Sequence, residues 1–169
     1  FDTQLELRGN EVSLSDDDGG GDGTDSRIAA VLQPGAYTVV ARALNDTGSG
    51  LFRLSATHAA LPAGTVLRSG GTLSLDAKVT GVISDDAHRY QLTVAEAGPL
   101  LIDLRSEDFD TVLELRRGDD LIAEDDDGGG DTHSRIATEV QPGTYTVVAK
   151  VYEGGSGGLY ELTARRGGE

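Results

Sequence analysis

Cysteine, methionine and tryptophan are all missing from this chain. Without cysteine there is neither a disulfide framework nor a thiolate metal site. Aromatic residues make up 5% of the sequence, so a core has to rest on Leu, Val, Ile and Ala. Basic residues are scarce as well. Fourteen Lys and Arg stand against 29 Asp and Glu, a net charge of −15. Such a surface repels nucleic acid and anionic lipid and attracts cations. No apolar run reaches membrane-spanning length, so no membrane insertion is expected, and no basic-plus-apolar leader opens the chain at Phe1. Proline is rare, at 4 residues, while the 24 glycines follow no period and cluster at turns, which points away from collagen.

What the chain does have is a copy of itself. Phe1-Asp2-Thr3-Gln4-Leu5-Glu6-Leu7 returns as Phe109-Asp110-Thr111-Val112-Leu113-Glu114-Leu115. Asp16-Asp17-Asp18-Gly19-Gly20-Gly21-Asp22 returns as Asp125-Asp126-Asp127-Gly128-Gly129-Gly130-Asp131, and Ser26-Arg27-Ile28-Ala29 as Ser134-Arg135-Ile136-Ala137. Gln33-Pro34-Gly35-Ala36-Tyr37-Thr38-Val39-Val40-Ala41 has its partner in Gln141-Pro142-Gly143-Thr144-Tyr145-Thr146-Val147-Val148-Ala149. Residues 62–108 have no counterpart upstream. One whole unit therefore follows the back half of another, and chemistry carried twice suits a structural or binding role better than a single active site.

The local patterns are those of strands. Thr111, Leu113 and Leu115 share one face of an alternating run, and the exchange of Val112 for Gln4 in the first copy predicts solvent on the other face. Leu73-Ser74-Leu75, Tyr90 to Val94, Leu101 to Leu104 and Leu159 to Leu162 read the same way. Pro34-Gly35 and Pro142-Gly143 are turn signals ahead of β-rich runs ending near Leu44 and Tyr152. Gly48-Ser49-Gly50 and Gly154 to Gly158 read as hairpin loops into a last strand, and Arg165 onward as a frayed end. No stretch sustains a helical period. The prediction is an all-β, antiparallel β-sandwich in tandem: residues 1–57 as the C-terminal half of a first repeat, 58–63 as a linker and 64–165 as a complete unit.

The order Gly81-Val82-Ile83-Ser84-Asp85-Asp86, His88-Arg89-Tyr90, Phe109 to Leu115, Asp125-Asp126-Asp127-Gly128-Gly129, Ser134-Arg135-Ile136 and Pro142-Gly143-Thr144-Tyr145 resembles the bacterial pre-peptidase C-terminal domain family. The resemblance implies a jelly-roll-like sandwich related in shape to collagenase collagen-binding domains. It also implies a non-catalytic module that stands beside catalytic domains in secreted bacterial proteins, although no catalytic domain lies within these residues.

The acidic loops are the candidate site. Asp16, Asp17, Asp18, Asp22 and Asp25 crowd one loop, and Asp125, Asp126, Asp127 and Asp131 the other. Carboxylates packed together repel unless a cation sits among them. Ca²⁺ suits such a loop, because it takes six to eight oxygens in flexible geometry and glycines let backbone carbonyls turn inward. Mg²⁺ demands stricter octahedral geometry, and Zn²⁺ wants His or Cys, which the loops do not share. An EF-hand is excluded by the missing Glu and flanking helices, and a nonapeptide β-roll by a pattern that occurs once and breaks in the second copy. The alternative is a solvated acidic turn without an ion. Asp2 and Asp110, at the head of the paired strand, are either further ligands or caps for a neighbouring turn. Ser26-Arg27 and Ser134-Arg135 are expected to steady the loop exit by hydroxyl-to-backbone and Arg-to-carboxylate bonds.

Catalysis is not expected. None of His58, His88 and His133 recurs between copies, His133-Ser134 becomes Asp25-Ser26, and Asp85-Asp86 lacks aromatic subsites for a glycosidase. Two functions remain. One is a calcium-stabilised structural or adhesive building block of a bacterial surface or filament, secreted or held at the cell surface. The other is an accessory substrate-binding or secretion module of a secreted peptidase. Partners would be neighbouring copies of the chain or an extracellular protein or polysaccharide. One back half also lacks the strands that should cover it, and either upstream residues or a neighbouring chain would lie over Leu5, Leu7, Val39 and Leu54.

Overall fold

The computed structural model describes residues 1–20, 23–83, 86–152 and 157–167. It is all-β, with mainly antiparallel sheets and, among the described residues, one short 3-10 turn at Leu44–Asp46. No helix among the described residues is long and apolar enough to cross a membrane.

The first repeat contributes β1 (Thr3–Gly9), β2 (Val12–Asp16) and β3 (Thr38–Ala43), hydrogen-bonded in the order β2-β1-β3. The second contributes β4 (Gly70–Leu73), β5 (Lys78–Ile83), β6 (His88–Val94), β7 (Gly98–Arg105), β8 (Thr111–Arg117), β9 (Asp120–Asp125), β10 (Ser134–Val140), β11 (Gly143–Val151) and β12 (Gly158–Arg166). These build a five-stranded sheet, β4-β6-β11-β8-β9, and a four-stranded sheet, β10-β7-β12-β5. Among the described residues every strand pairs antiparallel except β4 with β6, and an isolated bridge from Leu67 to Thr80 is also parallel. Between the two sheets lies one core. Tyr90, Leu92, Leu113, Leu115 and Val147 from the first meet Ile83, Leu100, Ile102, Leu104, Ile136 and Leu162 from the second. Side chains that alternate along each strand put one apolar row on each inner face, which is why two sheets close on each other here.

The arrangement β2-β1-β3 repeats β9-β8-β11, and the registers agree. Leu5 faces Asp16 and Ala41, and Leu113 faces Asp125 and Ala149. The hairpin from β8 to β9 is one residue longer than that from β1 to β2, and a bulge between Leu115 and Arg116 absorbs the extra residue. The acidic loop therefore starts at the same point of the ladder in both copies.

Three expectations are corrected. The outer face of β8 is not open to solvent, because Val112 and Glu114 are as buried as their neighbours. Lys150 and Arg116 cap the Glu114 carboxylate, and Arg8 and Arg42 cap that of Glu6 in the first copy. The long stems of these bases cover the strand. The run after Gly48-Ser49-Gly50 forms no strand, for its ladder partners are not present. At the other end Arg165 and Arg166 are not frayed, since they pair with Leu101 and Leu100 of β7. Of the glycine loop before β12, residues 153–156 lie outside the described residues.

Candidate functional site

Each acidic loop begins where a strand ends in an aspartate. The Asp16 Oδ2 accepts from the backbone N–H groups of Gly19 (3.0 Å) and Arg27 (2.6 Å). Asp125 Oδ2 does the same for Gly128 (2.9 Å) and Arg135 (2.6 Å). One carboxylate thus ties the loop's entry to its exit. A Cβ on Gly19 or Gly128 would fall 2.6 or 2.5 Å from the Asp Oδ1, so a larger residue there would push the carboxylate aside. Further in, Gly20 N–H donates to the Asp25 carbonyl (2.6 Å), and Gly129 N–H to that of His133 (2.8 Å).

A threonine clasp anchors the loop to the central strand. The N–H of Thr3 donates to the Thr24 carbonyl (3.0 Å), its hydroxyl meets the same oxygen (2.9 Å) and the Ser26 hydroxyl (2.6 Å), and Ser26 N–H donates back to Thr3 Oγ1 (3.0 Å). Thr111, Thr132 and Ser134 repeat all four contacts at 3.1, 3.0, 2.6 and 2.9 Å. The serine hydroxyls therefore bond a strand threonine where a bond to backbone was expected, and it is the serine N–H that donates to the threonine oxygen. The arginines contribute a main-chain N–H to the loop aspartate, while the Arg135 guanidinium reaches Asp103 on β7 (2.6 Å) and that of Arg27 reaches Asp108 (3.1 Å).

The remaining aspartates lie around this frame. Asp17 is half-buried, and Asp18, Asp25, Asp126, Asp127 and Asp131 are exposed. Asp22 lies outside the described residues. The main-chain carbonyls of Asp2 and Asp110 accept from Leu44 (3.0 Å) and Tyr152 (2.8 Å), which ties each strand head to the end of its neighbour. Desolvation raises the Asp110 carboxyl above its ordinary range, and the charges of Asp126 and Asp127 raise it further. Burial likewise raises Asp16, helped by Asp17 and Asp18, against the lowering effect of its two backbone hydrogen bonds.

Does this set of groups suit Ca²⁺? The donors are hard oxygens, as Ca²⁺ requires, and Asp2 Oδ1 is a buried oxygen without a hydrogen-bond partner. Asp110, Asp126 and Asp127 are close enough to repel. Among the described residues, however, no three acidic or histidine side chains converge into a group that could hold a metal ion. The donor chemistry fits, but among the described residues the carboxylates do not converge.

Of the histidines, His88 serves the interior, while His58 is exposed. His88 Nδ1 lies 2.7 Å from the Tyr160 hydroxyl, which meets that of Tyr90 at 2.6 Å, and Tyr90 donates to the Arg68 carbonyl at 3.1 Å. Burial lowers His88, with Asp86 pulling the other way, and raises both tyrosines. Asp85 lies outside the described residues. His133 stands beside Ser134, but the serine hydroxyl is held by Thr111.

Two repeated groups escaped the sequence reading: the threonine clasp and the capped glutamate. Their signal was present in the repeat itself, since Thr3 and Thr111 recur, as do Glu6 and Glu114 with a base at Arg42 and Lys150. No family model and no curated protein matches this chain. Among solved structures it is similar to the pre-peptidase C-terminal domain of a collagenase from Bacillus anthracis, at 20% identity and a TM-score of 0.50. The likeness covers 57% of this chain and 94% of that one. At that identity it speaks for the fold, which is a β-sandwich of the pre-peptidase C-terminal kind.

Proposed function

We propose that this chain is a non-catalytic, extracellular β-sandwich repeat whose acidic loops are steadied by Ca²⁺, and that it acts as an accessory module beside a peptidase. The observation that carries this reading is the fold likeness to a pre-peptidase C-terminal domain of a collagenase. Two duplicated loops without a duplicated histidine, and with their serine hydroxyls held by threonine, support a role in holding and binding rather than turnover. Tandem repetition favours a second reading, a structural or adhesive element built from successive units.

In the second repeat Asp110, Asp126, Asp127 and Asp131 are the carboxylates that would have to close on the ion, since without it they do not converge into one group. In the first, Asp2, Asp17, Asp18 and Asp22 are the matching residues of the sequence. Asp16 and Asp125 would shape the loop through the N–H groups they accept. The cation would offset the mutual repulsion that raises Asp110, and it would stabilise the fold by mass action, about 2.7 kcal/mol at a hundredfold excess over its dissociation constant. Thermal melts with Ca²⁺ and with chelator should differ by several degrees, and superimposable curves would remove calcium from the proposal. Co-sedimentation with insoluble collagen and with polysaccharide tests the accessory role, for which retention on the protein substrate is expected. Hydrolysis of peptides by the purified chain, lost in Asp126→Asn, would overturn the non-catalytic reading.

A further inference from the structure

The first repeat forms some of its strands and omits others, and the choice follows the pairing. In the complete unit β8, β9 and β11 find ladder partners among themselves. Their counterparts β1, β2 and β3 are the strands that form. By contrast, among the described residues β10 pairs only with β7, and β12 only with β7 and β5. The matching stretches of the first repeat, residues 26–32 and 50–56, are present in sequence but are not strands. An extended segment without a partner leaves its N–H and C=O groups unpaired, so it stays irregular.

The same omission shows in the side chains. Val39 is 46% exposed, whereas its counterpart Val147 is fully buried at 0%. Leu54 is 50% exposed against 0% for Leu162, and Phe1 is 43% exposed against 8% for Phe109. Charge tells the same story. Arg135 binds Asp103 in the middle of β7, while Arg27, its counterpart, reaches forward to Asp108 of the next unit.

We infer that the open face of β1–β3, together with residues 26–32 and 50–56, is the seat of a front half of the 62–108 kind. The complete unit displays this occupant on the equivalent face. Its β6 lies beside β11, so the incoming β6-like strand adds beside β3. Its β7 lies between β10 and β12, so the incoming β7-like strand orders both irregular stretches at once. A carboxylate at the place of Asp103 would draw Arg27 from Asp108. A short join suffices to seat such a half, because only Ser106–Asp108 separate the end of β7 from Phe109. This assignment is independent of calcium and of the accessory role.

The test is a fusion in which residues 62–108 precede Phe1 directly, so that the new junction repeats Asp108–Phe109. Backbone hydrogen exchange at residues 28–32 and 51–54 should slow by about a hundredfold or more relative to the 1–169 chain. A hydrophobic dye bound by the 1–169 chain should be released. Val39→Asp in the fusion should abolish both gains, while the amides of Ile102 and Leu162 stay protected and report an intact second unit. Unchanged exchange in the fusion would overturn the inference. So would a concentration-dependent dimer of the 1–169 chain that protects those stretches, for it would give the face to a second copy.

Discussion

The two repeats of this chain carry the same loop, the same clasp and the same capped glutamate, yet only one of them closes into a sandwich. In the second, β8, β9 and β11 lie under a second sheet. In the first, β1, β2 and β3 stand with Val39 and Leu54 in water. The difference separates two kinds of stability. Contacts between near neighbours, such as Asp16 with Gly19 or Thr3 with Ser26, form in either setting. Burial of the apolar face needs strands contributed from residues far away, and it is lost when they are missing.

The sharpest way to break this contrast is to truncate equivalent leucines. Leu162→Ala, in a site with no exposure, should destabilise the second unit by about 2–5 kcal/mol. Leu54→Ala should stay within about 0.5 kcal/mol, as surface changes do. Denaturant unfolding of the full chain reads both, and similar losses would mean the first repeat has a core of its own.

A second effect concerns Glu114. Desolvation alone would raise its carboxyl, but hydrogen bonds and charges from Lys150 and Arg116 outweigh it and hold the group below the ordinary 4.5. A lowered value means that the folded state favours the charged form. Its contribution is therefore complete above the ordinary glutamate range and is lost as pH falls through the folded value. Glu114→Gln should lower stability at neutral pH by about 1–3 kcal/mol and flatten the acid limb of the stability curve. An acid limb that keeps its slope in this variant would count against the capped-glutamate account.

The clasp should respond alike in both repeats, which makes it a control on the comparison. Thr3→Val and Thr111→Val each leave a serine N–H without its hydroxyl acceptor, at about 1 kcal/mol. Exchange at the Ser26 and Ser134 amides should then quicken by similar factors. A response confined to Ser134 would show that the clasp, too, depends on closure.

The smallest effect is at Asp110. Its raised carboxyl resists charging in the fold, so its favourable contribution is present below the ordinary 3.8 and is lost as pH rises through the folded value. At neutral pH, without metal, Asp110→Asn should raise the melting temperature by about a degree, a small gain because the residue is exposed. The calcium-dependent gain should shrink at the same time. A lower melting temperature in chelator would contradict the repulsion argument.

Much of the fold was legible because strands advertise themselves locally. Alternation placed Thr111, Leu113 and Leu115 on one face, Pro142-Gly143 marked a turn, and the duplication set the registers side by side. The misread features share one cause. Gln4 beside Val112 suggested a wet face, but burial of that face comes from Lys150 on another strand. Residues 50–56 have strand composition, yet pairing needs β7 and β5 equivalents. Arg165 looked terminal and polar, and it is held by Leu101 across the ladder. In the loop, the crowding of aspartates was visible. That Asp16 and Asp125 turn inward onto N–H groups, while Asp126 and Asp127 face outward, was not.

The amino-acid sequence by itself determined the strand pattern, the two acidic loops, the excess of negative charge and the incompleteness of one repeat, because each is a matter of residue type and spacing along the chain. The tertiary structure decided which aspartates became caps, which glutamates were covered, and which stretches of strand-like sequence became strands. Those outcomes rest on hydrogen-bond partners and apolar surfaces brought from distant parts of the chain, and a segment cannot pair with or bury itself against what is not beside it.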